Sequence, residues 1–454
     1  MEQKTKILLW GDYCCATGFA TVLGNIAREL HKTGRYDIDV LAINYSGDPY
    51  DKEKWPGSVY PAMPGIMSSG GPYADVYGRQ RLLDLTGKGI YDVVFLLQDT
   101  FILQTMLETL KQTQTELVKM SGAKTFKIVY YFPIDAQAKP DWATDVVAKV
   151  DFPVAYTKFG RSEVAKYVPA LANIPYIYHG TNVEDFFYIE SRESVKKFRH
   201  DFWHGLADDR FLIVNVNRNQ PRKDIIRSLM ILKELKESGR NPFMYLHMQH
   251  MDIGGNIFVM AEELGLENEV DFILPHPNVF GANQGISVDK LNFIYNAADA
   301  ILTTTLGEGW GLSVTEAFAT KTPVIGPDNT SLSEIMADNR GILVQSGNNP
   351  SMFKMDLSDN ERLRPIMDVE DAVGKIEQLM DSINNKFGSI SDVEGAYEWA
   401  HNNTWEIICR LWITLIDAAA EIAKQQNAIP SGMNRAERRA IERKQTKAKN
   451  NAHL

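Results

Sequence analysis

Cysteine is scarce: Cys14, Cys15 and Cys409 are the only three in 454 residues. Adjacent Cys14 and Cys15 make a poor structural staple, and the three lack the spacing of a zinc knuckle or ribbon. Neither a disulfide framework nor a cysteine-built metal site is expected, and a reducing compartment fits. Long apolar runs are missing too. The short one inside MEQKTKILLWGDYCC suits a buried strand rather than a signal-peptide core, and nowhere does the chain approach the roughly 20 consecutive apolar residues that cross a bilayer. A cytoplasmic location is expected. The segment Gly11 to Gly18 has no G-x-G-x-x-G fingerprint, which counts against a nicotinamide dehydrogenase. Positive charge is in deficit as well: 48 Lys and Arg stand against 58 Asp and Glu, a formal charge of −10. That balance argues against broad nucleic-acid binding by the folded body.

What is present reads as an ordinary globular protein, 44% hydrophobic and 23% charged. Its length exceeds what one hydrophobic core usually serves, so two domains are expected. Charge is uneven. Between Ser431 and Leu454 seven Lys or Arg face only Glu437 and Glu442, which leaves this tail at +5 and the rest at −15. A polyanion could meet the tail; a solvated extension after the Pro430-Ser431-Gly432 break is the plainer reading.

Apolar runs at Lys6 to Trp10, Ile38 to Asn44, Val93 to Gln98, Phe126 to Phe132, Pro153 to Thr157 and Ile174 to Tyr178 read as strands, with helical spacing between several of them. The same alternation resumes at Phe211 to Val216 and runs on through Phe243 to Met248, Val270 to Ile273, Ala300 to Thr303, Pro323 to Ile325 and Gly341 to Val344. Two α/β units with mostly parallel sheets follow. The expected layout is a first domain over 1–185, a connection over 186–209, a second domain over 210–392, a terminal helix over 393–429 returning to the first domain, and a basic tail over 430–454.

The sharpest motif is Gly307-Glu308-Gly309-Trp310-Gly311-Leu312-Ser313-Val314-Thr315-Glu316, a glycine-rich loop running into a helix expected to open at Ser313. Gly309 and Gly311 let the backbone approach a ligand closely, and amides near Ser313 can face a phosphate. Glu316, expected in the first turn, could accept bonds from sugar or ribose hydroxyls. The alternative is a tight connection with Ser313 as a helix cap. A second cluster, Asn217 to Asp224, follows the strand Phe211 to Val216 at the strand end where open α/β sheets bind ligands. There Arg218 can fork onto phosphate oxygens and Lys223 can add a point charge, while Arg222 is expected to be solvated or paired with an acidic neighbour. His247 and His250 lack the acidic partner of a metal site.

These clusters and the two-domain layout resemble retaining glycosyltransferase family 4 over roughly residues 5 to 420. The resemblance implies two Rossmann-like domains facing across a cleft, the glycosyltransferase B architecture, with an acceptor-side first domain and a nucleotide-sugar-binding second domain. It implies transfer of a sugar from a nucleotide diphosphate sugar to an unidentified acceptor, with retention. The family's two acidic residues separated by seven fall on Glu308, toward the donor sugar, and Glu316, toward the ribose; the backbone of Gly309, Trp310, Gly311 and Leu312 approaches sugar and phosphate. Its basic pair falls on Arg218 and Lys223, which hold the diphosphate and stabilise its departing charge. Its amino-terminal glycine loop falls on Gly18. Many members carry a histidine at the strand end occupied here by YYFPIDA; this chain has none there, and Asp135 is the candidate catalytic group in its place. No Asp-x-Asp metal clamp stands at the expected position, so no metal is expected. His179 fits a structural role better than a catalytic one. A nucleotide-sugar 2-epimerase, a phosphorylase-like enzyme, or a non-catalytic sugar-nucleotide or polyanion binder stays open.

Overall fold

A computed structural model describes residues 4–63, 75–120, 123–276, 279, 285–356, 360–385 and 390–428. The basic tail expected over 430–454 lies outside them. The chain divides into two compact units. One comprises Met1–Ile134, Ala138–His179 and Trp405–Leu454; the other comprises Asp135–Gln137 and Gly180–Thr404.

In the first unit, six strands, β1 (Thr5–Asp12), β2 (Tyr36–Ile43), β3 (Ser58–Pro61), β4 (Val93–Leu97), β5 (Lys127–Phe132) and β6 (Phe152–Ala155), lie in the order β3-β2-β1-β4-β5-β6. Every pairing is parallel. Helices cover both faces of such a sheet, so its middle strands read as unbroken apolar runs, and VVFLL of β4 is buried throughout. After β1 the Thr17 hydroxyl caps the helix Gly18–Lys32 by accepting from the Ala20 amide, and that helix buries Leu23, Ile26, Ala27 and Leu30. The helix Trp405–Asn427 completes this unit. Trp405, Ile408, Cys409, Trp412, Ile416 and Ala419 form its buried stripe at helical spacing, and Trp412 packs edge-on against Phe95 and Tyr131, at 5.1 and 4.6 Å between ring centroids. Asp417 fixes its rotation by accepting from the Tyr36 hydroxyl at 2.6 Å and pairing with Arg35 at 2.9 Å.

The second unit contains β7 (Phe211–Val216), β8 (Pro242–His247), the small hairpin β9 (Met251–Asp252) and β10 (Gly255–Asn256), then β11 (Phe272–Ile273), β12 (Ala300–Leu302), β13 (Val324–Pro327) and β14 (Ile342–Val344). Its parallel sheet has the order β11-β8-β7-β12-β13-β14, the same winding as the first. A second hairpin, β15 (Phe353–Asp356) with β16 (Arg362–Pro365), follows. In this winding the strand order reverses between β7 and β12. Their carboxyl ends therefore open on the switch point where ligands bind in open α/β sheets.

Several boundaries differ from the sequence reading. The connection expected over 186–209 contains a helix, Arg192–Phe202, and lies within the second unit. The single terminal helix expected over 393–429 is two helices, Val393–Asn402 and Trp405–Asn427, and the first of them belongs to the second unit. Ile174 to Tyr178 is no strand but one isolated bridge, Ala155 to Tyr176, because Pro175 has no amide to extend the ladder.

Candidate functional site

Two loops leave the carboxyl ends of β7 and β12 side by side, and the first is set by its backbone. Pro221-Arg222-Lys223 makes one tight turn, ending in Asp224 with the left-handed φ of 48°. Asp224 is buried between Lys354, at 2.9 Å, and Arg227, at 3.1 Å. From the neighbouring strand end, the Thr304 hydroxyl lies 3.0 Å from the Lys223 carbonyl and 3.1 Å from that of Asp224. Lys223 is thus held by its main chain, and its ammonium bonds the Glu308 carboxylate.

The second loop begins with the buried Thr303, Thr304 and Thr305. Leu306 donates its amide to the Arg222 carbonyl at 2.8 Å, and Arg222 donates to the Gly307 carbonyl at 2.6 Å, so the two loops are stitched in both directions. Gly307 is required where it stands: a Cβ there would fall 2.0 Å from the Asp135 carbonyl oxygen. Glu308, 7% exposed, meets Lys223 on one oxygen and Arg222, at 3.3 Å, on the other. Burial alone would raise its carboxyl, but the Lys223 and Arg222 charges overcome this and hold it down at about 2. Burial lowers the Lys223 ammonium from its ordinary value, Glu308 draws it back up and Arg222 adds to the lowering. With so acidic a partner, the proton stays on Lys223.

The loop then enters the helix Leu312–Ala319 through Gly311, which adopts φ 99° and has no side chain to cap the first turn. The helix starts one residue earlier than expected and Gly311, not Ser313, is its boundary. Glu316 is therefore the fifth helical residue rather than a first-turn residue. It accepts a 2.6 Å bond from the hydroxyl of buried Tyr295. Burial pushes its carboxyl up to about 7, against the Tyr295 bond and with help from Asp185. The folded protein thus keeps a proton that the unfolded chain releases from about 4.5 upward, and this group subtracts stability as pH rises from there to about 7. Glu316→Gln is expected to remove that slope, so that the melting temperatures of variant and parent diverge in the variant's favour between pH 5 and 8. A constant difference across that range would mean that Glu316 titrates normally.

The remaining sequence candidates divide. Asp135, counted with this unit, lies 3.3 Å from Arg222 and 3.2 Å from Arg364. Arg218 does not join Lys223 and Glu308: its exposed guanidinium grips Asp252 of β9 at 2.6 Å. The Trp310 ring is buried against Trp399, leaving its backbone rather than its indole for a ligand. Gly18 opens the first helix of the other unit. There too His179 is buried among Tyr131, Tyr156 and Trp405, and burial lowers its imidazole to about 3, as befits a neutral structural residue. His247 bonds the Tyr245 hydroxyl and is lowered to about 4 by burial. Among the described residues no group of His, Cys, Asp or Glu is arranged to hold a metal ion, and no helix is long and apolar enough to cross a membrane.

Tyr295, Thr330 and Ser331 are the participants that the sequence reading passed over. Arg222 was read as solvated or paired; its partners are the site's own carboxylates.

Residues 196–362, which contain both loops, match the family model of the glycosyl transferases, group 1. A D-inositol 3-phosphate glycosyltransferase of Corynebacterium urealyticum is 33% identical over 94 residues, which make up 21% of this chain and 20% of that protein. The match thus spans about a fifth of that relative's length. Among solved structures, the sucrose-phosphate synthase of Thermosynechococcus elongatus superposes with a TM-score of 0.68 at 14% identity, covering 91% of this chain and 100% of that one. The Anabaena HepE protein in complex with UDP and glucose gives 0.63 at 14% identity, with 91% and 100% covered. The two Rossmann-like units have the glycosyltransferase B fold.

Proposed function

We propose that the protein transfers a sugar, with retention, from a nucleotide diphosphate sugar to an acceptor, and that the donor sits on the second unit at the β7/β12 switch point. The observation that carries this is the Lys223–Glu308–Arg222 cluster beside the uncapped helix start at Gly311. In the transfer, the bond between the anomeric carbon and the diphosphate oxygen breaks, a bond to an acceptor oxygen forms, and the acceptor's proton passes to the departing diphosphate. Lys223, joined by Arg218 once it leaves Asp252, stabilises the negative charge that grows on the leaving diphosphate. Positive charge already desolvated in the folded protein needs little reorganisation to do so. Glu308 and the Gly309–Leu312 backbone orient the sugar, Glu316 holds the ribose hydroxyls, and Asp135 lies at the reacting end. These cations carry the charge that a metal would otherwise carry. The same reading puts the protein in the cytoplasm, where sugar nucleotides are made.

The test is to incubate the protein with UDP-, GDP- and ADP-sugars and cell-extract fractions, following nucleoside diphosphate release and labelled acceptor by mass spectrometry. A change in the donor without an acceptor would point to an epimerase, and binding without turnover to a non-catalytic protein. Arg218→Ala is expected to leave stability within about 1 kcal/mol, because an exposed ion pair contributes little, while lowering the rate at saturating donor. An unchanged saturated rate would remove Arg218 from the reaction.

A further inference from the structure

A third loop ends at the same sheet edge, after β13, and Thr330 within it has a φ of 47°. A branched side chain in the left-handed region is strained, and such strain persists only where the surroundings hold it for a reason. Here the reason is the hydroxyl. Thr330 Oγ1 accepts the Glu308 amide at 2.9 Å and donates to Asn329 Oδ1 at 3.1 Å, and the Asn329 amide in turn donates to Ser346 at 3.1 Å. The hydroxyl of fully buried Ser331 lies 2.8 Å from the Glu308 carbonyl and 3.1 Å from that of Trp310. The Glu308 peptide is therefore gripped on both its N–H and its C=O. A glycine would take this φ freely but could not make the first bond.

We propose that Thr330 and Ser331 are positioning residues that fix the Glu308–Trp310 backbone for the donor, an inference that rests on the transferase reading above. When a donor arrives, the Glu308 carboxylate exchanges its cations for sugar hydroxyls. Its main chain must then stay in place, because it is no longer anchored through the side chain. The strained threonine supplies that anchor independently of the Lys223 and Arg222 bonds.

The test uses the full chain with Thr330→Gly, Thr330→Val and Thr330→Ser. Each is assayed in the presence of the cell-extract acceptor fraction with whichever of UDP-glucose, GDP-mannose and ADP-glucose the parent turns over fastest, and hydrogen exchange is followed across residues 305–312. Thr330→Gly, relieved of strain, is expected to melt no lower than the parent. Both Gly and Val variants should lose about 10- to 100-fold in kcat, the scale set by small misplacements of a reacting group, with a smaller change in KM. Their 305–312 amides should exchange faster, and Thr330→Ser should restore both readouts. Parent kcat and parent exchange in the Gly and Val variants would overturn the proposal. If the parent turns over none of the three donors, the transferase reading fails, and the exchange readout alone decides whether the clasp exists.

Discussion

Lys223→Ala is expected to lower kcat at saturating donor by about 10² to 10³-fold, the loss typical of one preorganised donor aimed at a developing negative charge. Donor affinity should fall less, because the interaction strengthens as the diphosphate departs, and uniform binding would appear in KM instead. Stability should change little by comparison. The variant removes a buried ammonium that burial disfavours, and Arg222 stays beside Glu308 to balance its charge. Single-turnover transfer, donor dissociation and urea unfolding measured on the same preparation separate these terms. A folded variant that transfers at the parent rate once donor saturates would strip Lys223 of its assigned role.

Glu308→Gln is expected to behave in the opposite proportion and to be the costlier change for the fold. Glu308 is the carboxylate that Lys223 and Arg222 share, so its neutralisation leaves two neighbouring cations with only Asp135, beside Arg222, to balance them. Removing one partner of a buried pair costs about 3–5 kcal/mol. The deficit has a pH signature. Without Glu308 the folded-state lysine drops further below its ordinary value, so the folded protein binds fewer protons than the unfolded chain, and stability rises with pH up to about 10.5. Urea unfolding at pH 7 and pH 9.5 should therefore show the variant recovering part of its loss. A deficit that is the same at both pH values would mean that the lysine charge is balanced elsewhere.

The strands were legible because both faces of each parallel sheet are covered, which forces runs such as VVFLL and FLIVNV. The short edge strand β3, SVYP, gave no such signal, since little of it is buried. The helix Arg192–Phe202 escaped for a related reason: of its residues only Val195 is buried, and a Ser191 cap with Arg199 bonds to three backbone carbonyls holds it. At the site, GEGWGLSVTE announced itself through its glycines, and Gly307 and Gly311 do adopt backbone positions that a side chain would strain or obstruct. What stayed hidden was partnership over long separations. Arg222 meets Glu308 across 86 positions, Thr330 reaches it from 22 residues away, and Tyr295 reaches Glu316 from 21. Such pairings arise when strands distant in the chain become neighbours at a switch point, which no local spacing encodes. Arg218 shows the converse: its local context suggested a phosphate fork, yet with Asp252 within reach an exposed guanidinium pairs there.

The helix Trp405–Asn427 supplies Trp412 to the core of the first unit, so that unit's last piece is encoded after the whole of the second. Domains usually fold as units in the order in which they leave the ribosome. Here the order inverts: residues 180–404 have all emerged before the helix that covers β4 and β5 is available. Until then the nascent first unit presents Phe95 and Tyr131 without their aromatic partner. The half translated first is the half finished last, and a ribosome that stops early leaves the second unit whole and the first unsealed.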